Sequence, residues 1–284
     1  MDTILNNSAI NINSQNKRFA FGKNWANFLN NLTEDRIIEA KTSLKNKLQL
    51  DNLTNLSFLD IGSGSGLFSL AAYRLGANVY SFDYDLDSVA CTKFLQQKYA
   101  SSTNNNQWTV TQGSVLDVPF LQQLGTFDIV YSWGVLHHTG SMYQAFTNII
   151  NLIKPHGKLF ISIYNNQGGP SRRWTWIKKT YNSSNHGIKL LLCCYTLFRQ
   201  WTITFVKDFI KTGNPFKHWL NYGKNNRGMS AWHDVVDWTG GYPFEVATPE
   251  QVFDFFKSHN FQLDQLKTCA GGVGCNEFVF INQS

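Results

Sequence analysis

From Leu59 to Gly66 the chain reads Leu-Asp-Ile-Gly-Ser-Gly-Ser-Gly. Alternating glycines permit a tight turn and let a ligand approach the backbone closely. A helix starting just after them presents unpaired N–H groups to polar ligand atoms. Asp60 stands two residues before the first glycine, and Asp83 lies 23 residues after Asp60. A carboxylate at that second position offers two oxygens and several lone pairs, enough to accept both hydroxyls of a ribose. A dinucleotide fingerprint would require glycine at position 67, to pack the helix near a pyrophosphate, and Leu67 stands there. Further along, His137 and His138 are adjacent. Histidine titrates near working pH, so either ring is a candidate proton acceptor; the alternative is a histidine that caps the next helix. Adjacent side chains diverge and no third ligand is spaced nearby, so no metal is expected. A last cluster spans Arg227 to Asp234 and Asp237 to Glu245. Turn glycines stand there among Trp, Tyr, His and acids, the mixture a small-molecule pocket uses. Arg227, Trp238, Tyr242 and Glu245 are its candidate binding residues, and His233, Asp234 and Asp237 its candidate bases.

Elements must position these groups. Short apolar runs at 56–61, 78–83, 108–112, 127–132 and 158–164 alternate with helical periodicity at 67–75, 88–99 and 142–153. That alternation predicts an α/β fold, a doubly wound, mostly parallel sheet with ligands at the carboxyl ends of its strands. It stops after Tyr164 and resumes at Thr248-Pro-Glu-Gln251, which has the residues of a helix start. Two closing strands follow, at 262–268 and 277–282, making seven in all. The intervening stretch is too long for a plain loop and is expected to be a helical cap. The expected divisions are a mobile arm (1–16), a core with N-terminal helices (17–164), the cap (165–247), and a C-terminal helix with closing strands (248–284). Within the cap, Leu190 to Val206 is strongly apolar but carries Arg199 and Gln200 near its middle. A cap helix packed on the core is expected, with an interfacial membrane helix as the alternative.

Charge is unevenly spread. The chain of 284 residues carries a net +6. From Gly168 to Gly228 there are eleven basic residues and one acid, Asp208, so the remainder is net acidic. Such a block suits an anionic ligand, a membrane surface or nucleic acid, or simply a solvated helical face. The hydrophobic content of 43% and the 9 Trp, 11 Tyr and 22 Phe exclude a disordered chain. The N-terminus shows no basic segment followed by an apolar stretch, and the five cysteines are odd in number without CxxC spacing. Reduced thiols and a cytoplasmic location are expected, with a Cys269–Cys275 disulfide as the alternative.

Asp60-Ile-Gly-Ser-Gly-Ser-Gly66 resembles motif I of the class I S-adenosylmethionine (SAM)-dependent methyltransferases. The resemblance covers about 19–164 and resumes from Thr248, and it implies a Rossmann-like sheet of seven strands. It implies SAM contacts from Asp60, Gly62, Ser63, Gly64 and Gly66, with Asp83 on the ribose and Tyr84 beside it. Gln112-Gly-Ser-Val115 resembles the segment that reads the adenine. Family members often carry Asp where Ser114 stands, so backbone groups of Ser114 and Val115, or Asp117, are the substitutes. Phe127 to His138 resembles motif IV, placing Trp133 and Gly134 beside the donor, and its Leu-His-His ending is similar to small-molecule methyltransferases. Arg18 to Trp25 resembles the segment that closes over SAM, through Phe21 and Trp25; aromatic packing on the sheet is the equal alternative.

The resemblance implies methyl transfer from SAM, with S-adenosylhomocysteine as product. Its overall plan is similar to ubiquinone-biosynthesis O-methyltransferases. O-methylation of a small-molecule acceptor, anionic or lipid-linked, is the expected reaction. The alternatives are a tRNA or other nucleic-acid methyltransferase using the basic insert, a membrane-surface enzyme acting on a lipid, and a SAM-binding protein without activity. Ser132-Trp-Gly-Val135 stands where base amino methylation would require Asn/Asp-Pro-Pro-Tyr, which counts against nucleic acid.

Overall fold

The computed structural model describes residues 19, 25, 29, 32–100, 106–222 and 231–284. Phe21, Arg227 and the arm 1–16 lie outside the described residues. Seven strands form one sheet: β1 (Ser57–Ile61), β2 (Asn78–Asp83), β3 (Trp108–Gln112), β4 (Phe127–Trp133), β5 (Ile153–Tyr164), β6 (Phe261–Lys267) and β7 (Cys275–Asn282). Their order is β3-β2-β1-β4-β5-β7-β6. The first five are parallel, and β7 runs antiparallel to both β5 and β6. The chain leaves β1 toward β2 on one side and returns to β4 on the other. The carboxyl ends of β1, β2 and β4 therefore flank the switch point where ligands bind in open α/β sheets.

Composition explains the elements. β1 is buried from Phe58 to Ile61, as expected of a strand covered on both faces. Helices α1 (Glu34–Leu48), α2 (Leu67–Arg74) and α3 (Leu86–Tyr99) follow, with α1 packed on α2. The start of α3 is Asp85, whose carboxylate accepts the Asp87 N–H, slightly before the periodicity at 88–99 begins. A short helix, α4 (Val118–Gln122), was unexpected; Asp117 caps it through the Phe120 N–H. Helix α5 (Met142–Ile150) ends earlier than its periodicity suggests, because β5 starts at Ile153. The Pro-His-Gly expected as a turn lies inside β5. His156 adopts φ 59°, and the β4–β5 register shifts between Phe127 and Ile129, so the strand bulges and continues.

Two compact units result. The sheet unit runs from 21 to 168 and from 245 to the end. Its core is held by Phe146, Phe256, Phe278 and Phe280 with the β4 and β5 aliphatics. The helix that re-enters it, α10 (Pro249–Ser258) by order, has the expected capping box between Thr248 and Gln251. The second unit contains Gly169–Phe244 and Phe19. Its helices are α6 (Gly169–Ser183), α7 (His186–Thr212), α8 (Lys217–Leu220) and α9 (Ala231–Gly240). Trp201, Val235, Cys193 and Ala231 form its core. Helix α7 contributes Cys193 and Trp201 to that core. Only Cys193, Thr196, Trp201 and Asp208 are buried along its 27 residues. Among the described residues no helix is long and apolar enough to cross a membrane. Cys269 and Cys275 are free thiols.

Candidate functional site

The glycine turn is built from the strand ends. Ile61 leads into Gly62, which adopts φ 75°. The N–H groups of Gly62 and Ser63 both donate to the Phe82 carbonyl, at 2.8 and 3.1 Å, tying the turn to β2. A Cβ on Gly62 would lie 2.5 Å from the Val135 methyls, so both the left-handed backbone and the close approach demand glycine. Gly66 leads directly into α2, as the spacing predicts. Thr92 of α3 braces the turn from behind. Its hydroxyl pairs with Ser63 Oγ at 2.9 Å and donates to the Gly64 carbonyl at 3.3 Å. Trp25 lies on the turn, with its indole 3.1 Å from where a Gly64 Cβ would stand.

Asp83 closes the arrangement. Its Oδ2 accepts the Gly64 N–H and its Oδ1 the Asp85 N–H, each at 2.9 Å. An ionised carboxylate has about four acceptor positions, so each oxygen retains capacity for a further donor. Burial pushes the Asp83 carboxyl up to about 6, with the Asp85 and Gly64 amides pulling against that rise. Gly113 N–H donates to the Asp83 carbonyl at 3.0 Å, joining β3 to the same corner. Tyr84 is exposed, and its carbonyl accepts Gln112 Nε2.

Asp60 is placed differently from Asp83. It is buried behind the turn and accepts from Ser69 Oγ. Ser81 Oγ donates to Ser69 Oγ at 2.8 Å, and Trp108 Nε1 donates to Ser81 Oγ at 2.9 Å. This donor chain crosses β1, α2, β2 and β3 and ends on Asp60. Burial raises the Asp60 carboxyl to about 7; Ser69 lowers it and the Asp83 charge raises it. Asp60 thus braces the turn from the core, whereas Asp83 is bonded to the turn itself.

On the β3 side, Ser114 Oγ accepts the Leu116 N–H, while Val115 is buried with its carbonyl taken by Asn148 Nδ2 at 2.8 Å. The Val115 carbonyl thus already accepts one donor, and Asp117 caps the helix that follows.

At the end of β4, Trp133 Nε1 donates to Glu277 Oε1 at 3.3 Å, and Glu277 is ion-paired with Lys47. Gly134 follows at φ 77° with open space around its Cα. The chain then enters a 3₁₀ turn, Leu136–His138. His137 is fully buried; its Nδ1 accepts the Tyr164 N–H at 3.3 Å, and its carbonyl accepts the Glu245 N–H at 2.9 Å. Its ring packs on Tyr164, with centroids 4.0 Å apart. His138 is half-buried, edge-on to the same Tyr164. The Glu245 carboxylate, expected in a ligand pocket, instead accepts the Met142 N–H through both oxygens at 3.1 Å. It caps α5, where a negative charge opposes the positive helix end.

In the helical unit, Asp234, Asp237 and Trp238 are half-buried on α9, and the His233 side chain is outside the described residues. Tyr242 precedes a cis Pro243, and its carbonyl accepts the Phe19 N–H. Sequence reasoning missed Lys178. It lies within the basic block yet is buried, donates to the Trp238 carbonyl, and stands 4.4 Å from the Trp238 ring centroid and 4.9 Å from that of Phe244. Burial pulls its ammonium down to about 7, against the Asp237 charge. Thr92 and Val135 were missed as well, for each acts through contacts distant in sequence. No metal-holding group of His, Cys, Asp and Glu occurs among the described residues.

Strand order and turn together define a doubly wound α/β fold with a glycine-rich first crossover. The sequence model of the methyltransferase-domain family matches residues 33–206, and the chain belongs to that family. The ubiquinone biosynthesis O-methyltransferase of Rickettsia typhi is 27% identical over 137 residues, 48% of this chain and 50% of that protein. The histone-arginine methyltransferase CARMER of Drosophila virilis is 23% identical over 46% of this chain and 25% of its own length. The chain thus spans half or less of the length of these curated relatives. Among solved structures, the magnesium protoporphyrin IX methyltransferase of Synechocystis with bound S-adenosylhomocysteine superposes with a TM-score of 0.50 at 14% identity, covering 87% of this chain and 81% of that one. At such identity the likeness is one of fold.

Proposed function

We propose that the protein transfers the methyl group of SAM to a hydroxyl of a small-molecule acceptor and releases S-adenosylhomocysteine. The observation that carries this reading is the docking of Asp83 on the glycine turn, with acceptor capacity left on both of its oxygens. SAM bound at such a site supplies an electrophilic methyl on a sulfonium, so alignment and exclusion of water are the main demands on the protein. Asp83 holds the ribose hydroxyls. Gly62, Ser63 and Gly64 let the cofactor approach the backbone, Trp25 screens the turn from water, and Gly113 to Val115 border the base. Trp133 is fixed by Glu277, and Gly134 leaves room for the reacting group at the end of β4.

A hydroxyl acceptor needs a base. His138, half-buried four residues after Gly134, is the candidate within the sheet unit; His137, enclosed and engaged through Nδ1, positions the turn that carries it. His233, Asp234, Asp237, Trp238, Tyr242 and Arg227 are assigned to acceptor recognition in the helical unit. Similarity to the ubiquinone biosynthesis O-methyltransferase of Rickettsia typhi supports oxygen as the accepting atom.

Two measurements test this. Equilibrium dialysis of folded protein should show uptake of SAM and of S-adenosylhomocysteine. Incubation with methyl-labelled SAM and a cell extract should then yield a labelled small molecule, identified by mass. Absence of uptake refutes the cofactor assignment, and label found only in nucleic acid or protein refutes the acceptor class.

A further inference from the structure

We propose that helix α7 and its short neighbour α8 form an interfacial docking surface for an anionic lipid bilayer. The inference rests on the surface of the helical unit and not on the identity of the methyl acceptor.

The inward side of α7 is well satisfied. Trp201 packs against Trp219 and Tyr222, and Thr239 donates to Thr196 at 2.8 Å. The outward side is apolar and exposed. Leu191, Tyr195, Phe198, Val206 and Phe209 recur at three- and four-residue steps around Thr202, which places them on one stripe. Leu191 is 69% exposed, Phe198 68% and Phe209 61%. Ile203 and Ile210 widen the stripe along one edge, and Ile210 is 76% exposed. Phe216 and Leu220, also exposed, extend the apolar surface past the helix end. A contiguous apolar patch on this scale marks an interaction site.

Charge selects the occupant. Lys189, Lys207 and Lys211 share a flank of the helix between its apolar and buried sides, and Arg199 borders the stripe. The one acid between Gly168 and Gly228, Asp208, is buried and occupied by His218, through the backbone N–H at 2.6 Å and Nδ1 at 3.1 Å. No carboxylate of this segment is therefore presented outward. A second copy of the chain would set like charges against one another without a compensating acid. Nucleic acid would satisfy the lysines but give Leu191, Ile203, Val206 and Ile210 nothing to stack on. A helix lying in the plane of an anionic bilayer satisfies both sets. The stripe enters the acyl boundary, and the lysines extend along their apolar stems to the headgroups. Arg199 near the middle of the helix fits a helix lying in the plane and not one crossing the bilayer.

The test is cosedimentation of the full chain with phosphatidylcholine vesicles containing 30% phosphatidylglycerol, and with pure phosphatidylcholine vesicles. Pelleting is expected with the former and at least tenfold less with the latter. The triple variant Leu191→Ser, Phe198→Ser and Ile210→Ser changes exposed side chains, so its circular dichroism and unfolding midpoint should match wild type while its partition falls at least tenfold. The pair Lys207→Glu and Lys211→Glu should weaken binding to the anionic vesicles alone. Equal pelleting with both vesicle types, or a triple variant that folds normally and still pellets, overturns the proposal. So does a wild-type dimer in solution that the triple variant disperses, which would identify the face as a self-association surface. An RNA oligonucleotide that binds wild type and folded triple variant alike, without vesicle binding by either, overturns it too.

Discussion

The N–H of Gly64 donates to Oδ2 of Asp83 across 2.9 Å, so the middle glycine of the first crossover is bonded to the acid that ends the second strand. Two sequence features 19 residues apart thereby act as one structure. Asp83→Ala removes the carboxylate we assign to the two ribose hydroxyls and leaves the Gly64 and Asp85 amides without their partner. Charge-assisted hydrogen bonds contribute roughly 1.5–3 kcal/mol each. SAM affinity measured by titration calorimetry should fall by about 100-fold or more, with S-adenosylhomocysteine affected equally because the ribose is common to both. Unchanged affinity for either would rule out this role for Asp83.

The same carboxyl predicts a pH dependence of binding. Its folded value is raised to about 6 by burial, and ribose hydroxyls donate to the ionised form. Binding below pH 6 must first expel a proton, so affinity should weaken by up to about tenfold per pH unit there and level off above pH 7. Unfolding of the unliganded protein should carry the opposite dependence. Asp60 and Asp83 both hold protons more tightly folded than at the ordinary value of 3.8. Their contribution to stability is full below that value and is lost as pH rises through about 6 and 7. Asp60→Asn should flatten this decline in denaturant titrations between pH 4 and 7.

Much of the sheet was legible because a fully covered parallel strand is a continuous apolar run bounded by turn residues. β2 and β3 have the boundaries their sequences predict. β5 was shortened in prediction because Pro155-His156-Gly157 has turn composition, yet a single positive φ at His156 absorbs it as a bulge. At the site, the glycine turn was legible because its backbone geometry depends on local spacing, while its bond to Asp83 was not. Asp60, Glu245 and His137 carry the right residue types for a ligand but are enclosed by Ser69, Met142 and Tyr164, partners that no local pattern announces. The apolar run of α7 revealed a helix, while which of its faces is covered depended on packing within its own unit.

Gly62 offers a test of loop strain that separates two causes. Gly62→Ala places a Cβ 2.5 Å from Val135 and also forces alanine to φ 75°. It should cost about 2–4 kcal/mol of stability by chemical denaturation. Adding Val135→Ala removes the clash but not the backbone cost. The double variant should therefore recover part of the loss and retain a residue of about 1 kcal/mol.

Lys178 should be a destabilising residue near neutral pH. Its ammonium is buried against Trp238 and Phe244, and its value falls from 10.5 to about 7. A depressed lysine contributes stability that is full above pH 10.5 and lost as pH falls through about 7. Lys178→Met keeps the volume and removes the charge, at the expense of the hydrogen bond to the Trp238 carbonyl. A gain of roughly 1–3 kcal/mol at pH 7 is expected, since the removed burial cost exceeds one hydrogen bond. Thermal unfolding followed by circular dichroism should show it, and the wild-type rise in stability from pH 7 to 10 should be absent from the variant.

The two histidines should respond differently to substitution. His137 is fully buried, and its Nδ1 accepts the Tyr164 N–H. His137→Leu strands that buried donor, so about 1–3 kcal/mol of stability should be lost. What activity remains should keep its pH profile, because His137 is assigned to positioning the turn and not to accepting the proton. His138 is only half-buried, with its ring edge-on to that of Tyr164. If it removes the acceptor proton, His138→Ala should lower kcat by about 10²–10⁴ and leave SAM affinity and the unfolding midpoint unchanged. The acidic limb of the rate profile should also disappear, since that limb reports protonation of the base. Retention of kcat in His138→Ala, together with a rate loss in a folded Asp234→Asn or Asp237→Asn variant, would move the base to the helical unit.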